Sequence, residues 1–346
     1  MACSKLLLHH HTHQQQSFCT SGPPQYTSNG PRALYLATCR APANPNDRQM
    51  YPSNHPSISI SRPVVILPGL GNNSNDYIEL ISSLKRRGLD ATVAEVSRPD
   101  WLNNAKCFLD KRCWSGKLSP RPFLDWYFER MKKAIIAAKL AVGGDTKVSL
   151  LAHSAGGWLA RVYMLEYGID DISLLLSLGT PHLPPPKGVP GVVDQTRGLL
   201  DYLNKACPGD CFAPDVKYIC IAGRFLKGER IFSSEVPAIA TTGVGTIVAT
   251  SKHRIRAAAR LRRLDGNTKQ WAATLQACLV GQSYKQVCGQ ADVWGDGVVP
   301  EISAHLHGAR NITLNGVYHS MLGARHPDRP WYGSPGVLEQ WVHFLE

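Results

Sequence analysis

The chain has 346 residues, of which 43% are hydrophobic, enough for one large domain or two small ones. No run reaches the roughly 18 consecutive apolar residues that a membrane-spanning helix needs, so a soluble or peripheral protein is expected. A formal charge of +12 favours anionic surfaces. Neither zinc-finger spacing nor an aromatic ribonucleoprotein signature is present, which argues against nucleic acid as the partner.

Residues 1–46 hold no Asp or Glu, only Lys5, Arg32 and Arg40 as Lys or Arg, and many Ser, Thr, Pro, His and Gln. Leu6 to Leu8 is too short for the apolar core of a secretory signal. The composition predicts a chloroplast transit peptide, with a mitochondrial leader or a disordered cytoplasmic tail as alternatives. Residues 47–62 read as a linker, and a folded domain is expected over 63–346. Its elements alternate. Pro63–Leu67 is a β-branched strand, Asp76–Arg87 a helix and Ala91–Val96 a second strand. Phe123–Val142 has apolar residues at helical spacing. Lys147–Leu151 is a strand, Gly157–Tyr167 a helix, and Ile172–Leu178 and Val216–Ile221 are apolar strands. Asn311–Asn315 is the last strand and Val337–Leu345 a closing helix. Alternating strands and helices imply an α/β fold, a mostly parallel sheet covered on both faces, with chemistry at the carboxyl ends of its strands. Residues 225–287 interrupt the alternation and read as a cap or lid insertion.

Three cysteine pairs are close enough in sequence to bridge: Cys107 with Cys113, Cys207 with Cys211, and Cys278 with Cys288. Sequence alone does not decide between disulfides and reduced thiols. Cys220, inside a strand pattern, is expected to be a buried thiol.

Ala152-His153-Ser154-Ala155-Gly156-Gly157 lies between a strand and a helix. Small residues flank the serine, as a tight strand-to-helix turn requires, and the helix N-terminus carries partial positive charge. Leu67-Pro68-Gly69-Leu70-Gly71-Asn72 follows the first strand. By position, the N–H groups of Leu70 and Ala155 are the candidate oxyanion donors. His319 follows the last strand and is the candidate base. Asp296, in Trp294-Gly295-Asp296-Gly297, is the candidate acid, with Asp292 second. Gly69, His153, Thr180 and His182 are expected to line the substrate pocket.

At these residues the chain resembles the α/β-hydrolase superfamily, specifically its lipase and esterase branch. Ala152–Gly157 is similar to the nucleophile elbow of small bacterial triacylglycerol lipases. Asp296, Gly308-Ala309-Arg310-Asn311 and Gly316-Val317-x-His319 resemble their acid-to-base segment in order and spacing. Gly179-Thr180-Pro181-His182 also resembles a segment of phosphatidylinositol-glycan deacylase-like proteins. Pro68 and Ala152 depart mildly from the usual pattern, and the insertion departs more. The resemblance implies acyl transfer by Ser154, His319 and Asp296 on a lipid or other acyl ester, without metal or organic cofactor. The alternatives are a carboxylesterase or thioesterase for soluble substrates, and a non-catalytic binding protein of the same fold. Within the insertion, apolar Val236–Thr250 beside basic residues 252–263 suggests either a lid that docks on an anionic membrane or a solvated cap helix.

Overall fold

A computed structural model describes residues 62–230, 268–322, 326 and 328–346. The leader, the linker apart from Arg62, and both the apolar and the basic stretches of the insertion lie outside the described residues.

Six strands form one parallel sheet: β1 (Val64–Leu67), β2 (Ala91–Val93), β3 (Val148–His153), β4 (Ile172–Leu178), β5 (Lys217–Arg224) and, last in the chain, Arg310–Asn315. The spatial order is β2, β1, β3, β4, β5 and Arg310–Asn315, every neighbour parallel. Alternate residues of a strand face opposite ways, and the core divides accordingly. Val65, Leu67, Leu150 and Leu175 pack with Tyr127, Phe128, Met131, Leu159 and Val162 on one face. Val64, Ile66, Leu151 and Leu174 pack with Leu80, Leu84, Leu338 and Trp341 on the other. The helices supplying these faces are α1 (Ile78–Lys85), α3 (Asp125–Ala141) and α4 (Ala155–Tyr167), the first on the face opposite the other two.

Most expected elements occupy their expected places, and the differences are local. The first helix is split, with a 3-10 turn at Ser74–Tyr77 capped by Asn73. The second strand stops at Val93. The helix expected over Val337–Leu345 is two short turns, Pro335–Leu338 and Val342–Phe344. Sequence reading assigned no element to the 3-10 segment Arg98–Leu109, to α2 (Lys111–Trp114) or to α5 (Leu199–Ala206). Inside the expected insertion, β6 (Leu226–Lys227) pairs antiparallel with β7 (Trp294–Gly295), and α6 spans Thr268–Cys288. Cys207 and Cys211 form a disulfide. Cys107 and Cys113 are thiols with sulfurs 2.7 Å apart, Cys278 and Cys288 are free, and Cys220 is a buried thiol. Among the described residues no helix is long and apolar enough to cross a membrane.

Candidate active site

Ser154 occupies the turn between β3 and α4 with φ 52° and ψ −127°, a conformation that L-residues rarely adopt. The surrounding contacts explain how it persists. A Cβ on Gly156 would sit 2.5 Å from the Leu67 carbonyl oxygen, and one on Gly69 would sit 2.7 Å from Ser154 Cβ. A Cβ on Gly157 would meet Thr180, whose hydroxyl donates to the Ser154 carbonyl at 2.7 Å. The Ser154 N–H donates to the Leu178 carbonyl at 2.9 Å, tying the turn to β4. These glycines let the β1 loop, the turn and β4 close around one serine.

His319 Nε2 lies 3.0 Å from Ser154 Oγ, and His319 Nδ1 lies 2.7 Å from Asp296 Oδ2. With Nδ1–H donating to the carboxylate, Nε2 is left as the acceptor that faces the serine hydroxyl. The Asp296 carboxylate is buried, and all its neighbours are donors. Oδ1 accepts from the N–H groups of Val298 and Val299 at 3.0 and 2.7 Å. Oδ2 accepts from Tyr332 O–H at 2.8 Å as well as from His319. Tyr332 in turn accepts from Gly223 N–H at 2.8 Å. Burial, reinforced by the adjacent carboxylate, pushes the Tyr332 phenol well above its ordinary pKa, so it stays a donor. Gly179, with φ 56°, leaves room for this pair: a Cβ there would lie 2.6 Å from Asp296 Oδ2 and 2.7 Å from the Tyr332 oxygen. Tyr284 of α6 accepts from Gly297 N–H at 2.8 Å and donates to the Leu226 carbonyl at 3.1 Å, bracing the Asp296 turn.

The structure thus brings Ser154, His319 and Asp296 together. The N–H of Ala155 is at the first position of α4, where no intrahelical acceptor exists. Leu70 is an exposed residue of the loop after β1, which is fixed by Tyr127 O–H donating to the Pro68 carbonyl at 2.7 Å. Asp292, the second candidate acid, is on the surface and paired with Arg230 at 3.1 Å, away from this constellation.

The four expected pocket residues need correction. His153 is buried and fully engaged. Nδ1 lies 3.0 Å from the Tyr77 hydroxyl and 3.3 Å from Asn72 Nδ2, and Nε2 lies 3.0 Å from the His319 carbonyl oxygen. Tyr77 also accepts from Gly69 N–H at 3.0 Å, which takes that N–H out of use as a substrate donor. The partners suit a neutral His153 with Nε2–H donating to His319 and Nδ1 accepting. Burial, then the neighbouring His319, holds the His153 pKa well below its usual value. His153 therefore positions the His319 main chain and does not meet substrate. His182 is also fully buried, with Nε2 3.0 Å from Ser177 Oγ, and burial keeps it neutral. Thr180 is fully buried beneath the turn. Gly69 is consumed by close packing.

Sequence reading missed Tyr332, Tyr284, Tyr77 and Asn72. Asn72 stands in the loop motif already singled out, and its closeness to Leu70 was an available signal. The tyrosines lie on separate elements at no fixed spacing from Asp296 or His153. Among the described residues, no group of three or more His, Cys, Asp or Glu is placed to hold a metal ion.

A sequence model of the family described as "alpha/beta hydrolase fold" matches residues 62–216. The GPI inositol-deacylases of two Cryptococcus neoformans strains are each 28% identical over 119 residues, covering 32% of this chain. The chain spans only 15% and 13% of those relatives' lengths. Among solved structures, a predicted CIB-like hydrolase from Thermoplasma acidophilum is similar at 11% identity, covering 83% of this chain and 86% of that one, with a TM-score of 0.35. Aspergillus fumigatus lipase B is similar at 13% identity over 49% of this chain and 39% of that one, with a TM-score of 0.32.

Proposed function

We propose that this chain, which has the α/β-hydrolase fold and resembles its lipase and esterase branch, is a serine hydrolase of carboxylic esters, with lipid acyl esters as substrates. The observation that carries this reading is the chain of contacts from Ser154 Oγ to His319 to Asp296 at 3.0 and 2.7 Å. Ser154 Oγ attacks the acyl carbonyl carbon while its proton passes to His319 Nε2. Asp296 keeps Nδ1–H in place and stabilises the imidazolium. The N–H groups of Leu70 and Ala155 face the oxyanion, each such donor typically contributing about 3 kcal/mol. The tetrahedral intermediate collapses as His319 returns the proton to the leaving alcohol. Water, deprotonated by the same imidazole, then attacks the acyl-enzyme and frees the carboxylic acid and Ser154.

The preference for lipid esters draws on the deacylases named above, whose relation to this chain is partial. Residues 1–46 are proposed as a chloroplast transit peptide, and 225–287 as a cap whose basic stretch 252–263 supplies charge for an anionic membrane. Hydrolysis of galactolipids, phospholipids, triacylglycerols and esters of graded acyl length tests the function. We expect turnover of long-chain esters that Ser154→Ala abolishes. Turnover confined to short soluble esters would replace the lipid reading with a carboxylesterase. No turnover of any ester, with Ser154→Ala indistinguishable from the wild type, would favour a binding protein. Import of a fluorescent fusion carrying residues 1–46 tests the leader, and cytoplasmic retention would reject it.

A further inference from the structure

We propose that the outer face of residues 98–117 docks the protein on an anionic lipid surface beside the Ser154 site. A 3-10 helix repeats every three residues, so side chains three apart share a row. In Arg98–Leu109, Trp101 and Cys107 share a row and are buried, with Asn104 between them half-buried and Arg98 at the start of the row exposed. The other rows turn Leu102, Ala105, Lys106 and Leu109 to solvent, with Leu102 72% and Leu109 90% exposed. The following α2 repeats the arrangement, with Cys113 inward and Lys111, Arg112 and Trp114 outward, Trp114 being 67% exposed. Leu102 and Leu109 are therefore presented rather than packed, while Trp114 stays exposed with its ring 5.4 Å from that of Phe108 and its Nε1–H donating to the Phe108 carbonyl at 2.9 Å.

Cations stand among them. Lys106, Lys111 and Lys117 are exposed and have no ion-pair partner among the described residues, while Arg112 neutralises Asp110 at 2.7 Å. A shallow groove lined in part by Asn103, Lys106, Arg112, Arg121, Phe123 and Trp126 runs along the same segment. The segment is anchored to the oxyanion loop. Trp101 Nε1–H donates to the Asn72 carbonyl at 2.8 Å, and the Trp101 ring packs on Tyr127, which holds Pro68. Leu70, from that loop, is 61% exposed.

Charge complementarity and residue type select the occupant. Protein interfaces are depleted in lysine at their cores and require matched shape. A bilayer needs neither, because separate protruding apolar side chains enter the acyl boundary while lysines reach the headgroups. That such docking delivers ester to Ser154 rests on the hydrolase reading; the docking itself does not.

Co-sedimentation of the full chain with vesicles tests the proposal. The vesicles are phosphatidylcholine alone, or phosphatidylcholine and phosphatidylglycerol in equal parts. Binding is expected only to the mixed vesicles. Leu102→Ser with Leu109→Ser should weaken it roughly ten-fold or more. Lys106→Gln, Lys111→Gln and Lys117→Gln together should weaken it roughly a hundred-fold, at about five-fold per cation. Both variants should keep the wild-type melting temperature and short-ester turnover. Binding unchanged in both variants overturns the proposal. So does binding lost only when Arg256, Arg260, Arg262 and Arg263 are neutralised, or a dimer that Leu109→Ser dissociates with no vesicle binding. Vesicle binding that follows the variants in a protein without ester turnover would leave docking standing and reject the hydrolase reading.

Discussion

Ser154 is held by what its neighbours lack. Gly69, Gly156 and Gly157 each stand where a Cβ would collide with the β1 strand, the turn or Thr180. Asp296 and His319 are held by what their neighbours supply: Tyr332, two backbone N–H groups and the His153 imidazole. The nucleophile's half of the site is thus fixed by steric closeness and the acid–base half by directed hydrogen bonds. The first tolerates no added atom, whereas the second tolerates no lost donor.

The largest expected effect falls on the hydrogen-bonded half. Asp296→Asn keeps the shape but favours the wrong His319 tautomer, and kcat should fall by ~10^4-fold in an ester hydrolysis assay. On the steric half, Gly157→Ala pushes Thr180 away from the Ser154 carbonyl. It should destabilise the fold by about 1–3 kcal/mol in urea titration. It should also lower kcat by ~10^2-fold through the displaced Oγ. A wild-type melting temperature and kcat in Gly157→Ala would break the contrast. Tyr332→Phe removes one of the donors to Asp296 and leaves Gly223 N–H unpaired. Stability should fall by about 1–3 kcal/mol, with a smaller loss of kcat than for Asp296→Asn.

The smallest expected effect is on pH dependence. Burial depresses the pKa of both His153 and His182. Each binds a proton near pH 6.5 when unfolded and none when folded. Stability from these groups is therefore complete above about pH 6.5 and declines below it, with a slope of up to about 1.4 kcal/mol per pH unit for each. His182→Gln should remove one share of that slope in denaturant titrations between about pH 5 and 7. An unchanged slope would mean that His182 protonates in place.

The same contrast explains what the sequence could disclose. The Ser154 turn is local: strand, small residue, serine, glycines and helix occur within one run, so periodicity and motif place it. Strands such as Ile172–Leu178 are buried apolar runs and were legible for the same reason. Asp296 and His319 were legible by chain order, the first in a turn ahead of the last strand and the second just after it. Tyr332, Tyr284 and Tyr77 were not, because their contacts cross 36, 13 and 76 positions. His153 and His182 were misassigned to the pocket because adjacency to Ser154 or to a strand end does not say which face a side chain takes. The segment Arg98–Leu109 escaped because a three-residue repeat fits neither the helix nor the strand period.

The proposed chemistry depends on Ser154 Oγ being a nucleophile activated by His319. Reaction with a fluorophosphonate, followed by peptide mass mapping, reads that reactivity residue by residue. One phosphonylated residue, Ser154, is expected, with labelling absent in Ser154→Ala and strongly slowed in His319→Ala. An adduct at another residue, or labelling at wild-type rate in His319→Ala, would contradict it.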